Sequence, residues 1–360
     1  MKLSMLKSFL LVTTLFVVTY TYAGNSSKSG QAGATELLIN PWSRTSGWHG
    51  ANSASIRGIE AMHSNVAGLA FSPRSEMIFS HTDWIRGWDV NIYSFGFSAK
   101  AGEYSSIGLS IMSMDLGDFI ETTTDLPDGT GHTFNPQYLN VGLGYAKEFS
   151  KRIYGGVLVK LISESIPTVT ATGVALDAGI QYVAGAKDQI KFGIALRNIG
   201  PDMSFSGDGL SRVGSFISAS GENGYTQTLN SRSADFALPS LLNIGGSYDF
   251  IFQEIHRVTI AGNYVSNTYT KDQELFGVEY AYKTFLMLRA GYLYEKGLLN
   301  ETVGNDFDNT NTNVFMGPSV GASVEIPFGK DNSGSFGLDY SVRYTGPFDN
   351  VHNIGVKIKI

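Results

Sequence analysis

Apolar and polar residues alternate along most of the chain after about residue 75, and a period of two predicts β-strands. Within residues 139–145, large apolar side chains take every second position, and asparagine and glycine take the positions between them. Residues 335–345 repeat the pattern. The last stretch, HNIGVKIKI, carries it to Ile360, so the chain is expected to end inside a strand.

The alternation predicts fourteen strands, most of them longer than the roughly 5–6 residues of a soluble strand. They are residues 76–84, 88–100, 105–115, 136–149, 153–165, 173–184, 189–199, 238–250, 256–266, 273–283, 285–295, 315–327, 335–345 and 351–360. Such lengths suit strands that cross a bilayer at a tilt, which takes about 9–11 residues. The predicted fold class is all-β, an antiparallel transmembrane β-barrel of the outer-membrane type.

The connections between these strands differ at the two ends of the predicted barrel. One end has short turns, whereas the other has the long polar loops 116–135, 200–237 and 296–314. This asymmetry is typical of outer-membrane barrels. In a closed barrel the last strand pairs with the first, so no strand edge stays unpaired. The even strand number predicts that the N- and C-termini are both periplasmic.

Composition and the first residues agree with export to the outer membrane of a Gram-negative bacterium. The 360 residues include no cysteine, only 16% are charged, and the net charge of −6 argues against a nucleic-acid partner. Residues 1–23 have a basic start, a short apolar core and a small-residue end, as a signal peptide does. Residues 24–75 are too long for a simple leader to the first strand and are predicted to plug the lumen. Residues 76–360 are predicted to form the barrel.

The predicted plug contains motifs that carry a family resemblance. In GATELLINPWSRTSGWHGANSA, the apolar stretch is Leu37, Leu38 and Ile39, and Arg44 follows it. In SNVAGLAF, Asn65 and Gly68 belong to a second motif. A third similarity joins ALRNIGPDMSF to ALPSLLNIGGSYDF in the middle of the chain. Together these stretches resemble the PorV/PorQ family, a branch of the FadL-like barrels.

The resemblance implies two alternative functions on one fold. PorV-like proteins serve type IX secretion in Bacteroidota, where they bind the C-terminal signal domain of secreted cargo proteins at the extracellular rim. Their partners are a large outer-membrane translocon channel and an attachment complex. Other FadL-like members transport hydrophobic small molecules. Either function has outer-membrane lipid around the barrel and needs no cofactor.

Candidate partner-binding residues lie in the predicted outer loops. Trp84 and Trp88 flank the first of them, and the loop 200–237 carries several apolar residues. These are Met203, Phe205, Leu210, Val213, Phe216, Ile217 and Tyr225. Apolar clusters on a wet surface usually mark interaction sites. The alternative is that the loop folds inward and covers the mouth of the barrel, and that the tryptophans belong to an interfacial girdle.

Enzymatic motifs are weak in this chain. GPSVG at residues 317–321 matches a nucleophile motif, but the strand predicted to follow it excludes the required strand–turn–helix context. NDFDNTNTN at residues 305–313 lacks the glycine and the glutamate of a calcium loop. The six histidines have no metal spacing. We therefore predict no catalytic residue and no metal, with a soluble secreted β-protein and an enzyme as the remaining alternatives.

Overall fold

The computed structural model describes residues 28–216, 225–300, 311–329, 333–346 and 348–360, and within them fourteen long strands form one antiparallel barrel. They are β1 (Ser75–Ile85), β2 (Val90–Lys100), β3 (Ser105–Asp115), β4 (Gln137–Ser150), β5 (Ile153–Ile166), β6 (Val169–Ala184), β7 (Ile190–Ile199), β8 (Leu241–Phe252), β9 (His256–Asn267), β10 (Gln273–Tyr282), β11 (Leu286–Glu295), β12 (Phe315–Phe328), β13 (Gly334–Thr345) and β14 (Val351–Lys359). The predicted fold class is confirmed. The predicted signal peptide, residues 1–23, lies outside the described residues.

The sheet closes on itself because the last strand pairs with the first. β14 is antiparallel to β1, with Lys359 opposite Glu76 and His352 opposite Asp83. Every other strand pairs with its neighbours in the chain, so β1 to β14 follow one another around the barrel. Closure satisfies the backbone groups that an open edge would expose.

The two faces of the wall have opposite chemistry, as the alternation predicts. On β5, Val157, Val159 and Leu161 point outward and are exposed, whereas Leu158 and Lys160 point inward and are buried. The same outward apolar exposure recurs around the whole barrel. An apolar surface of this extent is unstable in water, which makes lipid the environment of the outer face.

Strand ends differ from the predicted boundaries by up to four residues, the most at β6, which begins at Val169 rather than at residue 173. β8 begins at Leu241 rather than at residue 238, because Pro239 has no N–H for the ladder. β7 carries a bulge where Asn198 adopts a left-handed φ of 58°. Two loop hairpins were not predicted from the sequence. They pair Phe119–Ile120 with Thr133–Phe134, and Ser211–Phe216 with Tyr225–Asn230.

Residues 28–74, the N-terminal segment, precede β1 and are largely buried against the inward face of the wall. Their short helices are the 3₁₀-helix Thr35–Leu38, α1 (Ser43–Gly47), α2 (Ala61–Ser64) and the 3₁₀-helix Val66–Phe71. We call residues 28–41 the outer part and residues 42–74 the inner part. Among the residues that the structure describes, no helix is long and apolar enough to cross a membrane.

The N-terminal segment runs from one end of the barrel to the other. Lys28 lies over the ring of Tyr269, in a connection at the long-loop end. Arg74 accepts a backbone hydrogen bond from Lys100 at the short-turn end, where Ile360 also pairs with Ser75. The two ends of the barrel, Ser75 and Ile360, therefore lie together at the short-turn end, whereas residue 28 lies at the long-loop end, and the periplasmic location of both termini stays a prediction. The pattern of short turns at one end and long loops at the other placed Ile360 at the correct end, but it carries no information on the path of the chain before β1.

Candidate functional site

An ion network joins the inner part of the N-terminal segment to β12, β13 and β14. The Arg44 guanidinium lies 3.0 Å from Asp339, 3.3 Å from Glu325 and 4.0 Å from Glu60. Lys357 pairs with Glu60 and lies 3.7 Å from Glu76. Burial alone would lower the pKa of Arg44, but the three carboxylates raise the pKa above its ordinary value. The charges of the N-terminal segment and of the barrel wall therefore compensate each other here.

Small residues let α1 approach the wall closely. A Cβ on Gly47 would lie 3.0 Å from the Cα of Gly321 on β12. The Ser43 hydroxyl donates to the Asn353 carbonyl at 3.0 Å, and the Asn353 amide donates to the Pro41 carbonyl at 3.0 Å. A larger residue at either glycine would separate these partners.

Asn65 fixes the last turn of the segment to the opposite side of the barrel. Its side chain accepts from the Ala67 N–H and donates to the carbonyls of Ser53 and Ile180, each at 3.2 Å. Gly68 must stay small, because an added Cβ would lie 2.3 Å from the Ile56 carbonyl oxygen. These contacts give physical reasons for the asparagine and the glycine of the sequence motif.

A cavity of about 50 Å³ lies between the segment and the wall formed by β3, β4 and β5. Its lining is apolar for the most part, with five polar side chains that can titrate or form hydrogen bonds. The lining residues include Leu37, Ile39, Trp42, Met62, Met112, Ser110, Glu36, His63, Asn140 and Lys160. A predominantly apolar lining with few polar groups is typical of small-molecule sites.

Glu36 and Asn140 are the least satisfied polar residues of this cavity, and Asn140 Oδ1 has no hydrogen-bond partner in the described structure. Glu36 is 2% exposed, and its Oε2 also has no hydrogen-bond partner among the described residues. Its Oε1 receives only a long 3.5 Å bond from the Asn140 amide. Burial, and next the nearby Glu164 carboxylate, raise the pKa of Glu36 to about 7. Neither Glu36 nor Glu164 was singled out from the sequence, although Lys160 and Glu164 share the inward parity of β5.

The basic side chains near the cavity differ from one another in charge and in their partners. Lys160 lies 2.6 Å from Asp177 and donates to Asn198 Oδ1 at 2.7 Å. Burial, and next the Arg197 charge, hold the pKa of His63 well below its ordinary value, so His63 is neutral. Lys160, Asp177 and Arg197 belong to an inward ion network.

A second cavity, of about 140 Å³, lies at the long-loop end between residues 29–38 and the connections after β7 and β9. Beside it, an apolar cluster packs the outer part of the segment against β5, β6 and the longest loop. Its members are Ala34, Leu37, Ile162, Ala171, Ala175, Met203, Leu238, Phe205 and Phe236. The longest loop therefore folds inward at its ends and covers part of the mouth.

The predicted partner-binding residues fall into two groups. Trp88 and Val213 are about three-quarters exposed, whereas Met203 is buried and presents no surface to a partner. Trp84 faces the lumen rather than the outer surface, because it occupies an inward position of β1 and lies under the Arg343 guanidinium. Phe205 and Leu210 are half-buried. Phe216 and Tyr225 pair as backbone partners in the loop hairpin, and Ile217 lies outside the described residues.

The described residues contain no group of three or more His, Cys, Asp or Glu side chains that could hold a metal ion. The GPSVG stretch lies within β12, where Ser319 donates to the Gly47 carbonyl at 3.1 Å. It therefore lacks the strand–turn–helix geometry of a nucleophile motif.

Comparison with known proteins finds no matching family model and no matching curated protein. The fold is similar to solved channels. The toluene transporter TbuX of Ralstonia pickettii matches with a TM-score of 0.52 at 15% identity, over 89% of this chain and 97% of that one. The monoaromatic hydrocarbon channel CymD matches with a TM-score of 0.51 at 13% identity, over 89% and 97%.

These identities are low, so the similarity concerns the fold. The chain has the barrel architecture of hydrocarbon channels, and this confirms the fold that the FadL-like resemblance implied. The narrower assignment to the PorV/PorQ family stays a prediction. The solved neighbours are channels rather than enzymes, in keeping with the weak enzymatic motifs of the sequence.

Proposed function

We propose that this chain is a FadL-like outer-membrane channel for hydrophobic small molecules, with residues 28–74 as its plug. The observation that carries the proposal is the apolar-lined cavity between the plug and β3, β4 and β5. The two structural neighbours, a toluene transporter and a monoaromatic hydrocarbon channel, support the same class of substrate. The short-turn end and Ile360 face the periplasm, and the long loops face outward.

The described arrangement corresponds to a closed channel. β3 pairs without a register shift with β2 and with β4, so the wall beside the cavity has no gap. A cavity of about 50 Å³ is also smaller than the roughly 150 Å³ that accepts benzene in an engineered protein core. Passage therefore requires the plug to move, and the outer part of the plug is the element that closes the cavity.

Uptake of labelled toluene by cells that express the protein tests this proposal. Ser110→Leu adds bulk to the cavity lining and should reduce uptake several-fold. Ile107→Leu is the matched control on the outward face of the same strand and should leave uptake unchanged. Uptake no greater than in cells without the protein would overturn the proposal.

A second function is supported by the exposed apolar residues of the rim. Trp88 and Leu299 are each 75% exposed, and Ile120 is 63% exposed. Such residues suit the binding of secreted cargo in type IX secretion, together with the translocon channel and the attachment complex. Deletion of residues 207–231, which include the exposed Val213, should then reduce co-purification of a secreted protein in detergent. Unchanged co-purification would exclude this loop as the binding surface.

A further inference from the structure

Two carboxyl groups meet where the outer part of the plug touches the wall. Glu36 comes from the plug, where its neighbour Leu37 packs with Ile162 of β5, and Glu164 is the next inward residue of β5, near enough for its charge to raise the pKa of Glu36. They are 2% and 7% exposed. Ala34 of the plug packs in the same cluster as Leu37 and Ile162. Two ionised carboxylates in contact at a buried position repel each other strongly, so one of them must be neutral.

The surroundings offer Glu36 no cation. Lys160 on β5 is held by Asp177 at 2.6 Å, and the Arg197 guanidinium of β7 donates to the Leu37 carbonyl at 3.2 Å. His63 of the plug is neutral. On β4, Tyr138 stands opposite Glu164. The buried Glu36 Oε2, without a partner among the described residues, marks the position where a proton satisfies both carboxyl groups.

We infer that Glu36 and Glu164 share one proton, and that this proton is the latch that holds the outer part of the plug against the wall. With the proton present, the pair forms a hydrogen bond across the plug–wall contact. Without it, two adjacent negative charges push Glu36, and with it residues 34–37, away from β5. The outer part then leaves the mouth, while the inner part stays in its ion network.

The direction of the pH dependence follows from the pKa of Glu36, which is 4.5 when free and about 7 when docked. Below pH 4.5 the carboxyl group keeps its proton in both states, so docking is not penalised. Between about pH 4.5 and 7 only the undocked form ionises, so docking weakens as the pH rises. Above about pH 7 both forms are ionised and the weakening is complete. The whole change is on the order of a hundredfold in the docking equilibrium.

The consequence for transport rests on the function proposed above, but the latch itself does not. An outer plug that undocks at neutral pH and closes in acid would make the channel open in neutral surroundings. The latch can be measured without any substrate. A negative result for the latch would not contradict the proposed toluene uptake, and a negative result for uptake would not contradict the latch.

Thiol labelling measures the docking directly, because the chain has no cysteine. Ala34→Cys reports on the plug, since Ala34 is buried in the apolar cluster of the mouth. Val213→Cys reports on an exposed loop and corrects for the pH dependence of the reagent. The full-length protein is labelled in detergent with a charged maleimide. The ratio of the Ala34→Cys labelling rate to the Val213→Cys labelling rate should rise more than tenfold from pH 5.5 to pH 8.

Two variants decide whether the pH dependence comes from a shared proton or from another cause, and a third variant is the control. Glu36→Gln should flatten the ratio to less than a twofold change, because an amide donates to Glu164 at every pH. Glu164→Gln should also reduce the dependence. If Glu164→Gln leaves it unchanged, burial of Glu36 acts alone and the shared proton is wrong.

The matched control is Glu295→Gln. Glu295 is also a buried inward carboxylate near the long-loop end, but Gln273, Thr312 and Asn313 donate to its two oxygens at 2.9–3.1 Å. Its substitution should leave the pH dependence of labelling intact. A flat ratio in the unsubstituted background, with the barrel still folded at each pH, would overturn the latch.

Discussion

The inner and outer parts of the N-terminal segment lie in the same barrel but are held by different forces. The inner part carries a charge into the lumen and meets opposite charges there, as Arg44 does between Asp339 and Glu325. The outer part carries Glu36, which meets another carboxylate instead. The buried Arg44 charge is paired with opposite charges, whereas the buried Glu36 carboxyl group depends on a proton.

The hydrogen bonds of the two parts overlap in length. In the inner part the Ile59 N–H donates to Glu76 at 2.8 Å. In the outer part the Pro41 carbonyl accepts from Asn353 at 3.0 Å, whereas the Glu36 carboxyl group has only a 3.5 Å bond from the Asn140 amide. The proposed anchoring by residues 42–74 and opening by residues 28–41 therefore rests on how the buried charges are paired.

Removal of the Arg44 charge should give the largest effect. Arg44→Met leaves buried carboxylates with fewer cations, and breaking a buried ion pair costs roughly 3–5 kcal/mol. The temperature at which the folded form is lost on a detergent gel should fall clearly. Arg86→Met is the control, because Arg86 is largely exposed and should change stability by less than about 0.5 kcal/mol. Equal effects would refute the anchoring role of the network.

Asn65→Ala should weaken the inner part at its other attachment. The substitution leaves a buried N–H and two buried carbonyls with fewer partners, at a cost of about 1–3 kcal/mol. Thermal unfolding in detergent measures the change. Asn230→Ala, in the exposed loop hairpin, should have almost no effect, and a similar loss there would mean that the assay does not report on the plug.

The wall was predictable from the sequence because its chemistry repeats with a period of two. Inward charges such as Asp339 and Arg289 could be placed on the lumen side from parity alone. The inward folding of the loop ends was not predictable in the same way. Met203 follows a bulge at Asn198 whose left-handed backbone redirects the chain, and no local pattern encodes that direction.

The plug motif could be recognised in the sequence, but its interactions could not. Arg44 binds carboxylates about 280 to 295 residues away, so the contact depends on closure of the whole barrel. The Glu36–Glu164 contact has the same origin. A single acidic residue in the apolar stretch TELLIN is the only local signal of it.

Gly47→Ala should produce a smaller loss than Arg44→Met. The new methyl group would lie 3.0 Å from the Gly321 backbone, and overpacking of this kind costs roughly 1–3 kcal/mol. Gly262→Ala is the matched control on the lipid face of β9, where the nearest atoms are 3.9 Å away. Thermal unfolding of both variants measures the difference. An equal change would mean that the contact between α1 and β12 is not tight.

Met203→Ala should have the smallest effect on the barrel and a visible effect on the mouth. Met203 packs beside Ala34 and Leu37 of the outer part, so its truncation loosens that part and the ends of the longest loop. Because the inner part keeps its ion network, the unfolding temperature should scarcely change, whereas a protease added outside whole cells should cut within residues 200–237 several-fold faster. Val213→Ala, at an exposed position, should leave the cutting rate unaltered. If Met203→Ala instead lowers the unfolding temperature as much as Arg44→Met does, the two parts of the plug unfold as one unit and the outer part has no independent motion.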